Sequence, residues 1–362
     1  MDTLYKKLLL SIAVGLLLNF SSAQEKVSKT ISETFDLSDV GELQLDNKYG
    51  DVTINGWDKD IISITIDISV THKKKDNANS LLDRVRPMLK AANEFVIIKT
   101  EIADKSEGFF AKYFNKANPF DFDRSNVQVN YTIYMPKSAK LDVNNKFGDI
   151  ILSDWKGVLN LDAQHGDVWI NNDLNKVNID LKYGKLKAKS LNFGDIRLKN
   201  GSLSLTHSSN IRLTSSGSII EIDEISSFEV YSSKDEITIN KVQSLGGSLE
   251  FTKMQLGEVI DGIDMGAKIA DIKISKITGP NAKIIIQQES TEIVMNIKGF
   301  GFAFDATLEE GLLRLPKSFT NINSTMLDKG KRMRQITADY GIDQTGLISI
   351  SGVKGVILLR EL

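Results

Sequence analysis

Three aspartates, three histidines and a set of outward charges are the residues here whose types and spacing could do chemistry. Asp149, Asp167 and Asp195 each follow a glycine. Glycine- and aspartate-rich turns repeated every nine residues can hold calcium between stacked rungs, and calcium takes six to eight oxygen ligands. Each turn here supplies one aspartate, Lys185 interrupts the series, and no double-glycine signature occurs. The aspartates therefore read as turn caps that accept backbone N–H groups. His72, His165 and His207 lack the paired spacing of a zinc site. His207-Ser208, and His165 close to Asp167, offer nucleophile and base types. Adjacent strand residues point to opposite faces, however, so no triad follows. Asp162, Asp180, Lys187 and Arg197 could serve a polysaccharide-cleaving enzyme along an outer face. The same charges belong on any soluble strand surface. No glycine cluster opens a helix, so a phosphate loop is not expected. The expectation is a chain with no catalytic residue, no cofactor site and no metal site.

The elements that must position these residues are short and repeated. Gly148, Gly157, Gly166, Asn175 and Gly184 fall at a constant step, 157 − 148 = 9. Apolar residues follow each punctuator at +2 and +4, as in Ile150 and Leu152, or Val168 and Ile170. That two-residue period is the strand period, and it turns the apolar side chains one way. Asn160, Asn178, Lys187, Arg197 and Ser204 then face the other way. Such short strands cannot bury an apolar face alone; stacked as rungs, they form a continuous column. Glycine at the punctuation suits a corner that needs a positive φ. The fold class expected is all-β: a single-chain parallel β-solenoid (β-helix), with two or three strands per coil. About ten coils at ~4.8 Å each would make a rod about 50 Å long. Ile150, Val168 and Ile196 must point inward if this is right.

Length and composition narrow the class. The 362 residues are 41% hydrophobic, enough for one long core or two ordinary ones. Net charge is −2, which gives no argument for nucleic acid. Cysteine is absent, which removes disulfides, thiolate metal sites, a cysteine nucleophile and a lipoprotein anchor. Lys6-Lys7, the apolar run 8–20 and Ser21-Ser22-Ala23 have the form of a signal peptide cleaved before Gln24. The apolar run is too short for a good membrane span, and no later run is long enough. Residues 1–23 are thus assigned to the leader, 24–140 to a strand-rich section, and 141–362 to the repeat body. The protein is expected to be exported, to the periplasm or the cell surface, with no transmembrane segment after cleavage.

The section 24–140 already carries the motif once, as Tyr49-Gly50-Asp51-Val52-Thr53-Ile54. Residues 61–70, 94–102 and 126–135 alternate as longer strands. Residues 80–93 form the best helix candidate, with Leu81, Leu82, Val85 and Leu89 on one face and Pro87 as a kink. Residues 108–123 interrupt the repeat with Phe109, Phe110, Tyr113, Phe114, Phe120 and Phe122. This aromatic insertion either touches a ligand or lipid, or caps an open end; covering a strand edge is the simpler role. Past Leu205 the pattern loosens. Residues 324–334 read as a polar, basic loop. Gly346 to Leu359 resumes the repeat and is expected to close the stack.

The segments 49–58, 129–136 and the Phe147-Gly148-Asp149-Ile150 and His165-Gly166-Asp167-Val168 corners resemble the bacterial "putative adhesin" family of exported β-helical proteins. They are similar also to the head domains of putative autotransporter adhesins. The resemblance implies a fold and an envelope address over about residues 40–300, and no catalytic residue. No C-terminal stretch could form a membrane barrel, so self-export is not expected. The reading is a non-enzymatic, adhesin-like surface-binding module whose partner is a cell-surface glycan or another envelope protein. A polysaccharide-active β-helix enzyme and a structural scaffold stay open as alternatives.

Overall fold

A computed structural model describes residues 24–103 and 126–362. The segment 1–23, expected to be a signal peptide, and the aromatic insertion lie outside the described residues. The described chain is all-β, with one large, mostly parallel sheet that does not close into a barrel.

The pairing pattern resolves into two ladders. One runs through Glu42–Lys48, Lys140–Lys146, Leu159–Gln164 and Leu174–Lys182, each parallel to the next. The other runs through Val52–Trp57, Ile150–Ser153 and Val168–Ile170. Both continue into the two halves of the long strand Lys185–Lys199. From there Ser202–Ser216, Ile219–Ser233, Glu236–Glu250 and Lys253–Lys268 each contribute one rung to both ladders. Hydrogen-bonded neighbours are 18 residues apart in the early rungs and 17 apart later. The nine-residue step is therefore half a repeat, one strand in each ladder. Inward positions of both ladders form one continuous core. Ile150, Val168 and Ile196 are fully buried, each worth about 1.5–3 kcal/mol relative to exposure.

The ends depart from the parallel plan. Glu25–Asp36 pairs antiparallel with Ile61–His72, which pairs antiparallel with Val127–Pro136. Val85–Ala92 forms a hairpin with Phe95–Ile102 across Asn93 and Glu94, both at positive φ. The expected helix over 80–93 is thus corrected. The helix spans Lys75–Leu82, burying Ala78 and Leu81, and the chain turns into a strand at Val85. Pro87 lacks an N–H donor and cannot continue a helix, but an edge strand tolerates it.

The other end holds two further corrections. Residues 324–334 are not a loop: Thr320–Asp328 and Met333–Tyr340 make an antiparallel hairpin against Phe302–Glu309. Nor do the strands Gly346–Val353 and Val356–Arg360 close the stack. They slot between earlier rungs, the first between Lys283–Glu289 and Phe302–Glu309, the second between Glu292–Asn296 and Leu312–Arg314.

Candidate functional site

The two ladders meet along two seams, and the residues singled out by the sequence distribute over them. At the first seam every rung turns through one residue at positive φ. Tyr49, Phe147, His165 and Tyr183 hold it first, at 70°, 59°, 55° and 57°, and Asn200, Lys234, Phe251, Ile269, Ser290, Lys354 and Glu310 repeat it later. The positive φ thus belongs to the residue before the glycine, which corrects the expected reason for glycine there. The glycine answers a different demand. A Cβ on Gly166 would lie 1.9 Å from the carbonyl oxygen of Gly148, and one on Gly148 would lie 2.0 Å from that of Gly50.

Aspartate follows and caps. The Asp51 carboxylate accepts the Asp149 N–H at 2.9 Å, Asp149 accepts that of Asp167 at 2.8 Å, and Asp167 accepts that of Lys185 at 2.9 Å. Asp149 and Asp167 are therefore aligned, with an oxygen of each committed to the backbone. Asp195 is elsewhere, on the outer face of the first ladder, 3.5 Å from Arg197. The rings before the glycines stack: Tyr49 on Phe147 at 5.5 Å, Phe147 on His165 at 5.0 Å, and His165 on Tyr183 at 4.8 Å, all nearly parallel. Ring faces are spent on one another, so this column offers edges rather than a stacking platform.

The candidate histidines are not brought together. His72 ends the strand Ile61–His72, where its Nδ1 accepts the Lys74 N–H. His165 lies in the ring stack and His207 at the second seam. Ser208 donates its hydroxyl to the Leu191 carbonyl, away from any base. Among the described residues no group of three or more His, Asp or Glu could hold a metal ion. Of the four outward charges, Asp162, Asp180 and Arg197 align on the first ladder, with Arg197 Nε 3.4 Å from Asp180; Lys187 is on the other ladder. Further along that face, Arg212 donates two bonds to Glu229, at 3.1 and 2.9 Å, and Tyr231 donates a third at 2.5 Å. The bond from Arg212, then that from Tyr231, holds the Glu229 carboxyl below the usual range.

The second seam carries a polar groove. Here the strands from Lys185–Lys199 to Lys253–Lys268 pass from one ladder to the other without a break. Their middle residues align as Ser190, His207, Glu224, Lys241 and Glu258, with Lys276 next. Beside that column Asn192, Ser209, Ser226 and Gln243 line the same cavity of about 350 Å³. His207 Nδ1 is 3.5 Å from Glu224, Gln243 donates to Asp261 at 2.7 Å, and Thr278 donates to Glu258 at 2.8 Å. Acids and bases alternate, so the groove is close to neutral while dense in donors and acceptors. Sequence reasoning missed this row; the recurrence of polar residues at 190, 207, 224 and 241, where 207 − 190 = 17, is the signal that marks it.

No protein-family model matches the chain, and no curated protein sequence matches it. Solved structures do. The chain is similar to structures described as adhesins. A "putative adhesin" from Bacteroides fragilis is 12% identical, with 69% of this chain and 97% of that one covered, at a TM-score of 0.34. Another from Parabacteroides distasonis is 12% identical, covering 74% and 93%, at 0.33. A "putative lipid binding protein" from the same species is 14% identical, covering 74% and 92%, at 0.30.

Proposed function

We propose that the protein is an exported, non-enzymatic, adhesin-like binding module. Its two ladders read as a β-solenoid that presents a hydrogen-bonding row to a neutral, hydroxyl-rich polymer such as a cell-surface glycan. The observation that carries this is the second-seam groove. Repeat arrays display extended surfaces of this kind. Rungs about 4.8 Å apart offer a polymer one set of polar contacts after another. The alternation of Glu224, Lys241 and Glu258 favours neither a polyanion nor a polycation. Export rests on the basic and apolar pattern of residues 1–23.

The test is titration calorimetry of the purified protein against neutral, acidic and basic oligosaccharides. Binding of a neutral glycan that weakens at least about tenfold in Glu224→Ala and in Gln243→Ala supports the reading. Binding unmoved by either change, binding only to a charged polymer, or release of new reducing ends overturns it. N-terminal sequencing of the protein from the envelope fraction should begin at Gln24.

A further inference from the structure

Every open sheet edge is a template for another strand, and proteins guard such edges with charge, proline, bulges or brevity. Among the described residues the two ladders end in four edges. Glu25–Asp36 is guarded by Glu25, Lys26, Lys29, Glu33 and Asp36. Val85–Ala92 carries Arg86, Pro87 and Lys90. Leu312–Arg314 is three residues long. The fourth, Thr320–Asp328, is different. It pairs only with Met333–Tyr340, every residue in it is exposed, and no charge or proline occurs before Asp328. Ile322, Met326 and Leu327 are 56%, 39% and 51% exposed. Bulges at either end, with Asn321 at a φ of 50°, guard this strand in part, but they leave Asn323–Met326 in regular pairing with 334–337.

We propose that this edge is an interface with a second copy of the same chain, the two Thr320–Asp328 strands pairing antiparallel across a two-fold axis at Ser324. That register is self-complementary, as an isologous contact must be. Ile322 meets Met326 of the other copy on one face, Asn323 meets Thr325 on the other, and no like charges oppose each other. Charge complementarity argues for a second copy over an unrelated strand. Lys329, Lys331 and Arg332 form the hairpin tip. Asp339 pairs with Thr320 at the strand's other end, and Glu361 sits beside it, bonded to Ser318. Antiparallel pairing carries the basic tip of each copy toward Asp339 and Glu361 of its partner, an end that also holds Lys317 and Lys298. The two sheets then continue into one through a strand that contributes no residue to the lining of the second-seam groove, so the inference stands apart from the proposed function.

The experiment is sedimentation of the protein and two variants, with oxidative cross-linking. The protein should sediment as a dimer. Asn323→Lys with Thr325→Lys places lysines opposite one another, which is destabilising in a paired sheet. It should weaken association at least about tenfold with thermal unfolding unchanged. The chain has no cysteine, so Ser324→Cys introduces a single thiol. Directly opposed residues in an antiparallel pair are about 4.5–5.5 Å apart at Cα, within disulfide reach. Mild oxidation should therefore give a covalent dimer from Ser324→Cys and little from Ser32→Cys on the charged edge. A monomer at all concentrations, a dimer indifferent to the lysines, or equal cross-linking of both cysteine variants overturns the proposal.

Discussion

The early and late stretches of the first seam make the same turn with different chemistry. From Tyr49 to Tyr183 the turn is aromatic, glycine, then mostly aspartate, and the rungs touch backbone to backbone. From Asn200 onward the backbone keeps its positive φ, but the glycine that Gly201, Gly311 and Gly355 retain gives way in the rungs between them to Ser218, Asp235, Thr252, Ala270 and Thr291. There side chains join the rungs. Asp235 is 4% exposed and accepts from the Ser215 hydroxyl at 2.5 Å, the Ser232 hydroxyl at 2.6 Å and the Ser218 N–H at 2.7 Å, while Ser232 and Thr252 share a bond of 2.8 Å. One backbone shape thus has two solutions: excluding every side chain, or burying small polar ones that satisfy each other. A sequence signature survives only in the first.

The largest expected effect breaks the first solution. Gly166→Ala forces a Cβ against the Gly148 carbonyl, and should cost about 3 kcal/mol or more in denaturant unfolding. Gly246→Ala adds the same atom within a first-ladder strand, away from the turns, where the nearest neighbour is 3.5 Å away; it should cost less than about 0.5 kcal/mol. Equal effects would erase the distinction. Next, Asp235→Ala leaves two hydroxyls and an N–H buried without their acceptor, and should cost about 2 kcal/mol, whereas Asp149→Ala in the half-buried early caps should cost about 1 kcal/mol or less.

The base of the early seam adds a pH signature. Asn47 and Asn145 are buried and bonded to each other at 3.0 Å, Thr100 donates to Asn47, and Thr100 and the Tyr131 hydroxyl are 2.7 Å apart. Burial pushes the Tyr131 phenol up to about 12. A raised phenol binds its proton more tightly in the folded state. Its contribution is complete below about pH 10 and is lost as pH rises toward about 12. Alkaline melts should show that decline, and Tyr131→Phe should flatten it. The ring stack adds a modest effect. His165→Ala should cost about 1 kcal/mol, with no counterpart at Lys234, the late residue at the same turn.

This contrast also explains what was legible. Residues 141–199 could be read because Gly148, Gly166 and Gly184 admit no substitute, and because Ile150, Val168 and Ile196 alternate cleanly. The late turns tolerate several residue types, so their beat fades although their backbone does not. Residues 80–93 misled because Leu81, Leu82, Val85 and Leu89 fit a helical face, while the deciding contact is a hairpin with Phe95–Ile102. The hairpin over 320–340 was hidden by its basic tip. The second-seam groove needed the register, since its members lie 17 residues apart.

The slotting of Gly346–Val353 and Val356–Arg360 between older rungs has a consequence for assembly on the ribosome. Phe302–Glu309 and Leu312–Arg314 are synthesised before the neighbours that join them to the rest of the molecule. Their sheet pairing to the rest of the molecule runs through residues 346–360 and is completed only once those strands have been made.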